Sequence, residues 1–329
     1  MTMADDRADR LSPPGRMNQR LARLGFVDPD RAAAVLAGPP LSWWDSEASA
    51  PASPGAAAVI AALGRASDPD LAVNALADLA GTVAGDDVQL LRSALETSGQ
   101  VRSRLINLLG ASIELGAHLV AYPDHWHVML SADYDADGVA RRLADAVGAD
   151  VTDPVTGTGG GRARLGGAEA VAQLRIAYRR ELADIAGRDM AGNLSLPAVT
   201  EALADLAGYT LQTALAVAAY DLTPDAAPCR LAIIAMGKAG GRELNYVSDV
   251  DVIFVAEPAD AATTEAGTEA ALGVATRLAS ATMRICRAVA WEVDANLRPE
   301  GKDGPLVRTL ASHAAYYARW ASTWESRRC

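Results

Sequence analysis

Residues 231–255 read LAIIAMGKAGGRELNYVSDVDVIFV, and this stretch decides the fold of the second half of the chain. The apolar run at its start predicts a strand that ends in a turn with three glycines: Gly237, Gly240 and Gly241. A second apolar run predicts another strand, which opens with Asp249 and Asp251. The order is therefore strand, glycine-rich turn, short polar segment and second strand.

The two aspartates are spaced for a metal site. Strand side chains alternate between faces, so Asp249 and Asp251 should project from one face while Val250 and Val252 pack on the other. Two carboxylates this close repel each other unless a cation lies between them, and hard oxygen ligands suit Mg²⁺ or Mn²⁺. The glycines let the backbone approach a ligand closely, so we predict a phosphate site beside the metal site. A D-x-D pair alone is more often a solvated strand end.

The order of the elements carries more information than either motif alone. A strand, G-x-x-G-G, a short helix and a strand opening in D-x-D resemble the nucleotidyltransferase superfamily that includes DNA polymerase beta. The longer string G-K-x-G-G-x-E-L-N-x-x-S-D-x-D is similar to that of the glutamine synthetase adenylyltransferases. These are bifunctional enzymes that attach AMP to, and remove it from, a tyrosine of glutamine synthetase.

A third carboxylate follows in WEVDANLRPEGKDGPLV, residues 291–307. The segment Trp291–Leu297 alternates like a strand, and Asp294 lies within it. The resemblance implies that Asp294 completes a metal-binding triad for two Mg²⁺ ions. It further implies phosphate or nucleotide contacts from the glycine turn and from four other residues: Lys238, Ser248, Arg298 and Lys302.

Lysine usage supports two of these residues independently. Only Lys238 and Lys302 of the thirty basic residues are lysines, and both fall inside the two motif blocks. Arginine-rich composition is typical of a GC-rich coding sequence, but a compact ammonium group also suits point contacts to phosphate. We interpret both lysines as phosphate or nucleotide contacts.

Composition narrows the choice of partners. The chain has 329 residues, half of them apolar, and a net charge of −11 without a long basic run. Because nucleic-acid binding needs a cationic track, the acceptor is expected to be a protein or small molecule rather than nucleic acid. The three cysteines lack metal-type spacing, and the sequence has no uninterrupted apolar run of about 18 residues and no leader. These features predict a soluble, cytoplasmic protein without a membrane partner.

The fold class predicted is α+β, with a nucleotidyltransferase-type mixed sheet clasped by a mainly helical N-terminal part. We predict a disordered segment over 1–20, the helical part over 21–225, the sheet core over 226–311 and the start of a C-terminal helix over 312–329. Residues 151–167 are predicted to be a flexible loop.

Two polar groups in the helical part are interpreted as structural. His125 and His127 invite a metal reading, but no third ligand is near and Trp126 indicates packing. In the helical run 168–220 we expect i to i+4 ion pairs on a solvated face. The residues concerned are Arg175, Arg179, Arg180, Glu181 and Asp184.

The resemblance runs from about residue 21 to 325 and matches the N-terminal, adenylyl-removing half of the family. It implies phosphorolysis of adenylyl-tyrosine on glutamine synthetase, with phosphate as nucleophile and ADP as product. Implied partners are glutamine synthetase, phosphate, ADP or ATP, and a PII-type nitrogen-signalling protein. Two alternatives stay open: AMP addition from ATP to a protein or small-molecule acceptor, and an inactive module that docks glutamine synthetase.

The end of the sequence departs from the family pattern. There the pattern continues past Glu325 as a long helix, whereas this sequence ends in SRRC. We therefore expect a truncated, aggregation-prone chain that frays beyond Thr323 and does not respond to glutamine or the nitrogen-signalling protein. The exposed apolar stripe would comprise Ala314, Tyr317, Trp320 and Trp324.

Overall fold

The computed structural model describes residues 13–48, 50–149, 161–223, 226–260 and 264–320. Residue contacts divide the chain into two compact units, one formed by 1–134 with 183–195 and the other by 135–182 with 196–329. The predicted disorder of residues 1–12, most of the loop predicted over 151–167 and the predicted fraying beyond Thr323 lie outside the described residues.

The first unit is almost entirely helical. Its helices are α1 (Pro13–Arg23), α2 (Pro29–Ala37), α3 (Pro54–Leu63), α4 (Pro69–Thr82), α5 (Asp87–Thr97), α6 (Gly99–Ala111) and α7 (Ile113–Ala121), with a 3-10 segment at Pro123–Met129. A two-residue antiparallel pair joins β1 (Trp44–Asp45) to β2 (Ala50–Pro51). The core is built mainly from leucine, alanine and valine, as the scarcity of phenylalanine requires.

Three of these helices begin at a proline that follows an aspartate or a serine. Asp28, Ser53 and Asp68 each precede a proline, and each side chain accepts a hydrogen bond from the backbone N–H three residues on. Proline at the first helical position has no N–H to leave unsatisfied, and its fixed φ suits the helix. These prolines therefore mark the starts of helices.

The N-terminal helix begins earlier than predicted. Residues 13–20 lie in α1 rather than in a disordered segment, because Met17 and Leu21 are buried one helical turn apart. A short stripe of this kind gives the helix an apolar face to bury.

The two predicted structural histidines take part in polar contacts of the first unit. His125 Nδ1 lies 3.0 Å from His118 Nε2, and His127 Nε2 lies 3.2 Å from Asp87 Oδ2. Trp126 between them is fully buried. Neither histidine belongs to a potential metal-ligand cluster among the described residues.

Two buried arginines of the first unit donate hydrogen bonds to the backbone at the end of the 3-10 segment. Arg104 donates to the carbonyls of Met129, Ser131 and Ala132 and to Asn193 Oδ1. Burial and the neighbouring Arg188 guanidinium lower the pKa of Arg104 from its ordinary value.

Arg188 is the second arginine of this pair. It donates to Asp184 Oδ1 at 2.6 Å and to the carbonyls of residues 131–133. The prediction of a solvated face is therefore wrong for Asp184, because its partner Arg188 is only 1% exposed.

We expect Arg188→Met to lower the free energy of unfolding by about 3–5 kcal/mol, as when one member of a buried ion pair is removed. The change removes this partner from the Asp184 carboxylate and one donor from each of three carbonyls, two of which keep a hydrogen bond from Arg104. Urea unfolding monitored by circular dichroism measures the effect. Arg65→Met, at an exposed arginine, is the matched control and should change stability by less than about 0.5 kcal/mol. Equal midpoints for the two variants would contradict the structural role of Arg188.

The second unit combines helices with a small mixed sheet. Its helices are α8 (Ala136–Val147), α9 (Gly167–Met190, whose last residues belong to the first unit), α10 (Leu196–Ala218), α11 (Gly237–Gly240), α12 (Glu265–Val289) and α13 (Leu310–Arg319). Its strands are β3 (Cys229–Ala235), β4 (Val250–Pro258), β5 (Val293–Asp294) and β6 (Val307–Arg308). The α+β class is thus confirmed. The predicted core boundaries at 226 and 311 stay a prediction.

The sheet is organised around β4. Strand β3 pairs with it antiparallel along its whole length, from Cys229 opposite Pro258 to Ala235 opposite Val252. On its other side β4 pairs in parallel with β5 at its start and with β6 further along. Helix α12 packs against β3 and β4, and α10 packs against α12.

Helix α10 with the following 3-10 turn, Leu196–Asp221, is long and apolar enough to cross a membrane. In the described structure, however, 72% of its apolar window is buried inside the protein. Burial of this kind is the behaviour of a core helix, and α10 packs on α8 and α12 accordingly.

A buried carboxylate again corrects the prediction of a solvated face, this time in the second unit. Glu181 is fully buried and accepts from Arg142 Nε at 2.8 Å and Nη2 at 2.7 Å. Arg180 also pairs with it. Arg175, predicted to pair with an acid, donates instead to the carbonyl of Ala288 near the end of α12. Arg142 and Arg175 thus each link two helices of the second unit.

Candidate active site

The start of β4 brings together the two motif blocks. Asp251 is the register partner of Asp294 on β5, and Asp249 lies just before β4. Each of the three carboxylates offers an oxygen atom, and these atoms all lie within 4.8 Å of one another. The structure thus assembles the predicted triad from residues more than forty positions apart.

The alternation along β4 points these carboxylates away from the core. Val250 and Val252 are buried, whereas Asp249 is exposed and Asp251 half-buried. Strand β5 is shorter than the predicted 291–297, because the chain turns directly after Asp294. The Asn296 N–H donates to Asp294 Oδ1 at 2.7 Å, and this contact fixes the carboxylate at the turn.

Gly237 follows β3 and lies against the triad. Its φ is +54°, in the left-handed region where glycine is favoured. A Cβ at this position would come within 2.5 Å of Asp251 Oδ2. Backbone conformation and contact with Asp251 therefore both require glycine here.

Gly240 is required for a different reason from the one predicted. Its Cβ would lie 2.5 Å from the carbonyl oxygen of Ala235, so the backbone of the turn packs directly on the end of β3. The N–H of Gly240 donates to Met236 and that of Gly241 to Gly237. These two N–H groups are thus engaged within the turn rather than directed at a ligand.

The helical turn predicted after the glycines forms within them, as α11, and residues 241–249 form a loop. Arg242 anchors this loop: its guanidinium lies 2.7 Å from both Glu201 and Asp205 on α10. Burial raises the pKa of Asp205, with Arg242 acting in the opposite direction. Nothing local in the sequence signals this contact, because Arg242 and Asp205 are 37 residues apart.

The four residues predicted to contact phosphate lie in two places, two of them before β4 and two on the loop after β5. Lys238 is exposed on α11 next to Gly237, and Ser248 is half-exposed directly before Asp249. Arg298, by contrast, donates to the carbonyls of Ala295, Lys302 and Gly304 and so braces the loop after β5. Lys302 is exposed on the 3-10 turn Gly301–Asp303 of that loop.

The carboxylates fit a divalent cation. Among the described residues, no lysine or arginine forms an ion pair with Asp249 or Asp294. Three convergent carboxylates repel one another, and a hard cation relieves that repulsion. The donor set is also that of two-metal sites for phosphoryl displacement. The nature of the ion, Mg²⁺ or Mn²⁺, stays a prediction.

The chain is similar in sequence to several known proteins. Residues 103–328 match the family model described as glutamate-ammonia ligase adenylyltransferase. Three relatives share the name bifunctional glutamine synthetase adenylyltransferase/adenylyl-removing enzyme. That of Streptomyces avermitilis is 43% identical over 96% of this chain, that of Nocardia farcinica 46% over 93% and that of Mycobacterium avium 40% over 96%. The chain spans 29% of the length of each of these relatives.

Proposed function

The chain belongs to the glutamate-ammonia ligase adenylyltransferase family, and on that basis we propose that it removes AMP from adenylylated glutamine synthetase by metal-dependent phosphorolysis. The observation that carries the proposal is the convergence of Asp249, Asp251 and Asp294 within 4.8 Å at the start of the central strand. The names of the relatives include this activity. The likeness of the helical segments before the sheet to the adenylyl-removing half of the family favours the direction.

We also assign the sheet to the nucleotidyltransferase type found in DNA polymerase beta. The basis is the arrangement of its parts: a strand, a glycine turn and a strand opening in two carboxylates, with the third carboxylate on a parallel neighbour. Helix α12 provides the crossover between the two parallel strands β4 and β5.

In the proposed reaction an oxygen of inorganic phosphate attacks the phosphorus of the adenylyl group. The bond from phosphorus to the tyrosine oxygen breaks, the tyrosine oxygen takes up the proton that the hydrogen phosphate dianion gives up, and ADP forms. Asp249, Asp251 and Asp294 would hold the divalent cations, which supply charge stabilisation and in-line alignment when bound. A phosphate dianion needs little deprotonation, so the site can work without a general-base histidine.

Two other side chains are assigned supporting roles. Lys238 follows Gly237, which contacts Asp251, so its ammonium group can balance charge on a phosphate oxygen near the triad. The Ser248 hydroxyl precedes Asp249 and can donate to a phosphate oxygen. Arg298 acts through the loop that it braces, and Lys302 on that loop is the remaining candidate for a phosphate contact.

Lysine identity at position 238 gives a direct test. We expect Lys238→Arg to lower kcat/KM by about tenfold, because a broad guanidinium must fit beside a glycine turn where a compact ammonium was. Steady-state release of ADP measures the effect, and Lys302→Arg provides the comparison within the same chain. Full activity in Lys238→Arg would make Lys238 a bystander.

The function itself is tested with adenylylated glutamine synthetase, phosphate and Mg²⁺. We expect release of ADP and recovery of unmodified tyrosine, both dependent on phosphate and divalent cation. Omission of phosphate is the control, and any AMP released then would indicate hydrolysis instead. Absence of ADP from a folded, metal-loaded chain would contradict the proposal.

AMP addition is the second candidate, because the names of the relatives include adenylyltransferase as well. Incubation with labelled ATP and unmodified glutamine synthetase separates the two directions. Label on the protein without phosphorolysis would support addition. Binding of glutamine synthetase without either reaction would support an inactive docking module.

A further inference from the structure

A cavity of about 500 Å³ lies in the second unit beside β5. Val293 and Asn296, which flank Asp294 in the sequence, contribute to its lining. The cavity therefore borders the segment that carries the third carboxylate of the triad, although the mechanism above assigns it no role.

Three of the six polar residues that line this cavity are arginines. Arg284 and Arg287, one helical turn apart on α12, and Arg298 from the loop after β5 all contribute to it. Glu292 is the one acidic residue in the lining. In a chain with a net charge of −11, three arginines against one glutamate make this a local positive site.

The three guanidinium groups differ in what they can offer a ligand. Arg298 is occupied by backbone carbonyls and supplies charge rather than free donors. Arg287 lies 3.2 Å from Glu292, and both side chains are well exposed at the rim. Arg284 is exposed, and no hydrogen bond or ion pair of its guanidinium is found among the described residues. Its planar fork is therefore available to an anion.

We propose that this cavity binds a phosphoryl group, either as inorganic phosphate or as part of a nucleotide. Arginine forks match phosphate oxygens in bidentate geometry, and Arg284 and Arg287 present two forks from one helix face. Met283 and Leu306 add apolar surface, and the volume lies in the range of small-molecule sites. A concave site of this size suits a small ligand better than an acidic protein segment. The proposal concerns binding and does not depend on the direction of the reaction.

The test is calorimetric titration of the whole chain with inorganic phosphate and, separately, with ADP. EDTA is present throughout, so no divalent cation can bridge either ligand to the triad. We expect saturable binding of at least one ligand, weakened at least about tenfold in the Arg284→Gln/Arg287→Gln double variant, as when charge-assisted hydrogen bonds are lost. Arg141→Gln, at an exposed arginine of α8, is the matched control and should bind as the unmodified chain does.

Glu292→Gln should act in the opposite direction. It removes the carboxylate that competes for Arg287, so binding should strengthen by a few-fold, which a general loss of structure would not produce. Equal affinity for phosphate and ADP would identify the phosphoryl group as the recognised unit, and binding of ADP alone would identify a nucleotide. A third titration uses an acidic peptide. The proposal is overturned by absence of saturable binding of phosphate and ADP, by unchanged binding in the double variant, or by binding of the acidic peptide alone.

Discussion

Asp251→Asn is expected to abolish ADP release from adenylylated glutamine synthetase while the chain keeps its fold. Asp251 is the central member of the triad, since it lies on β4 opposite Asp294 and two residues after Asp249. Replacing the carboxylate by an amide removes one negative charge from the proposed metal site but preserves the shape of the side chain. We expect a loss on the order of 10³-fold in kcat, the scale seen when one charge-stabilising group is removed.

Three measurements separate a metal-site defect from a folding defect. Circular dichroism and the thermal midpoint should match those of the unmodified chain, and Mn²⁺ titration followed by electron paramagnetic resonance should show weakened binding. Asp137→Asn, at an exposed aspartate of α8, is the matched control and should retain activity and Mn²⁺ affinity. Asp249→Asn and Asp294→Asn should resemble Asp251→Asn. Near-normal turnover by Asp251→Asn would remove the basis of the metal assignment.

The local part of this site is predictable from sequence. Alternation in a strand has a period of two, so the separation of Asp249 and Asp251 from Val250 and Val252 follows from the spacing alone. The observed burial agrees with it. The pairing of Asp251 with Asp294 depends on strand register across a 25-residue helix, and only the family resemblance indicated it.

Buried charges mark the limit of local patterns. Glu181 sits in a charged helical segment that reads as a solvated face, yet it is fully buried because Arg142 reaches it from 39 residues away. Asp184 likewise pairs with a buried arginine, Arg188. A charge pattern along one helix cannot show which face a distant arginine will cover, since burial of a carboxylate depends on that tertiary partner.

The glycine turn forms where the sequence predicts it, but the physical reason for its glycines differs from the predicted one. Three glycines predict close approach of the backbone to a ligand. In the structure, Gly240 instead permits contact with the Ala235 carbonyl, and Gly237 permits contact with the Asp251 carboxylate. The sequence predicts the positions at which a Cβ cannot be accommodated, but it does not predict which atom occupies the space where that Cβ would lie.

Gly237→Ala should therefore impair catalysis although it alters none of the three carboxylates of the proposed metal site. The new Cβ would lie 2.5 Å from Asp251 Oδ2, so the carboxylate or the turn must move. A left-handed φ of +54° adds strain of roughly 1–2 kcal/mol for a residue with a Cβ. Because a displacement of about 1 Å in a reacting group can cost on the order of 10²-fold, we expect a loss of that size in kcat.

The chain provides a matched control in Gly273→Ala. Gly273 lies in α12, where an added Cβ would have its nearest neighbour, Arg277 Nη1, at 3.9 Å, and alanine favours helix. Its activity should be unchanged and its thermal midpoint equal or higher. Gly237→Ala should differ from it in both Mn²⁺ affinity and turnover, with a smaller loss of turnover than Asp251→Asn shows.

The comparison of Gly237→Ala with Asp251→Asn tests positioning against charge. In the alanine variant all three carboxylates are present, so any weakening of Mn²⁺ binding must come from a shift of Asp251. Addition of Mn²⁺ at high concentration should then restore part of the activity, since the ligands remain and only their geometry is poorer. Asp251→Asn should show no such recovery. Normal Mn²⁺ affinity in Gly237→Ala together with lost turnover would mean that the glycine turn acts on the phosphate or its neighbours rather than through Asp251.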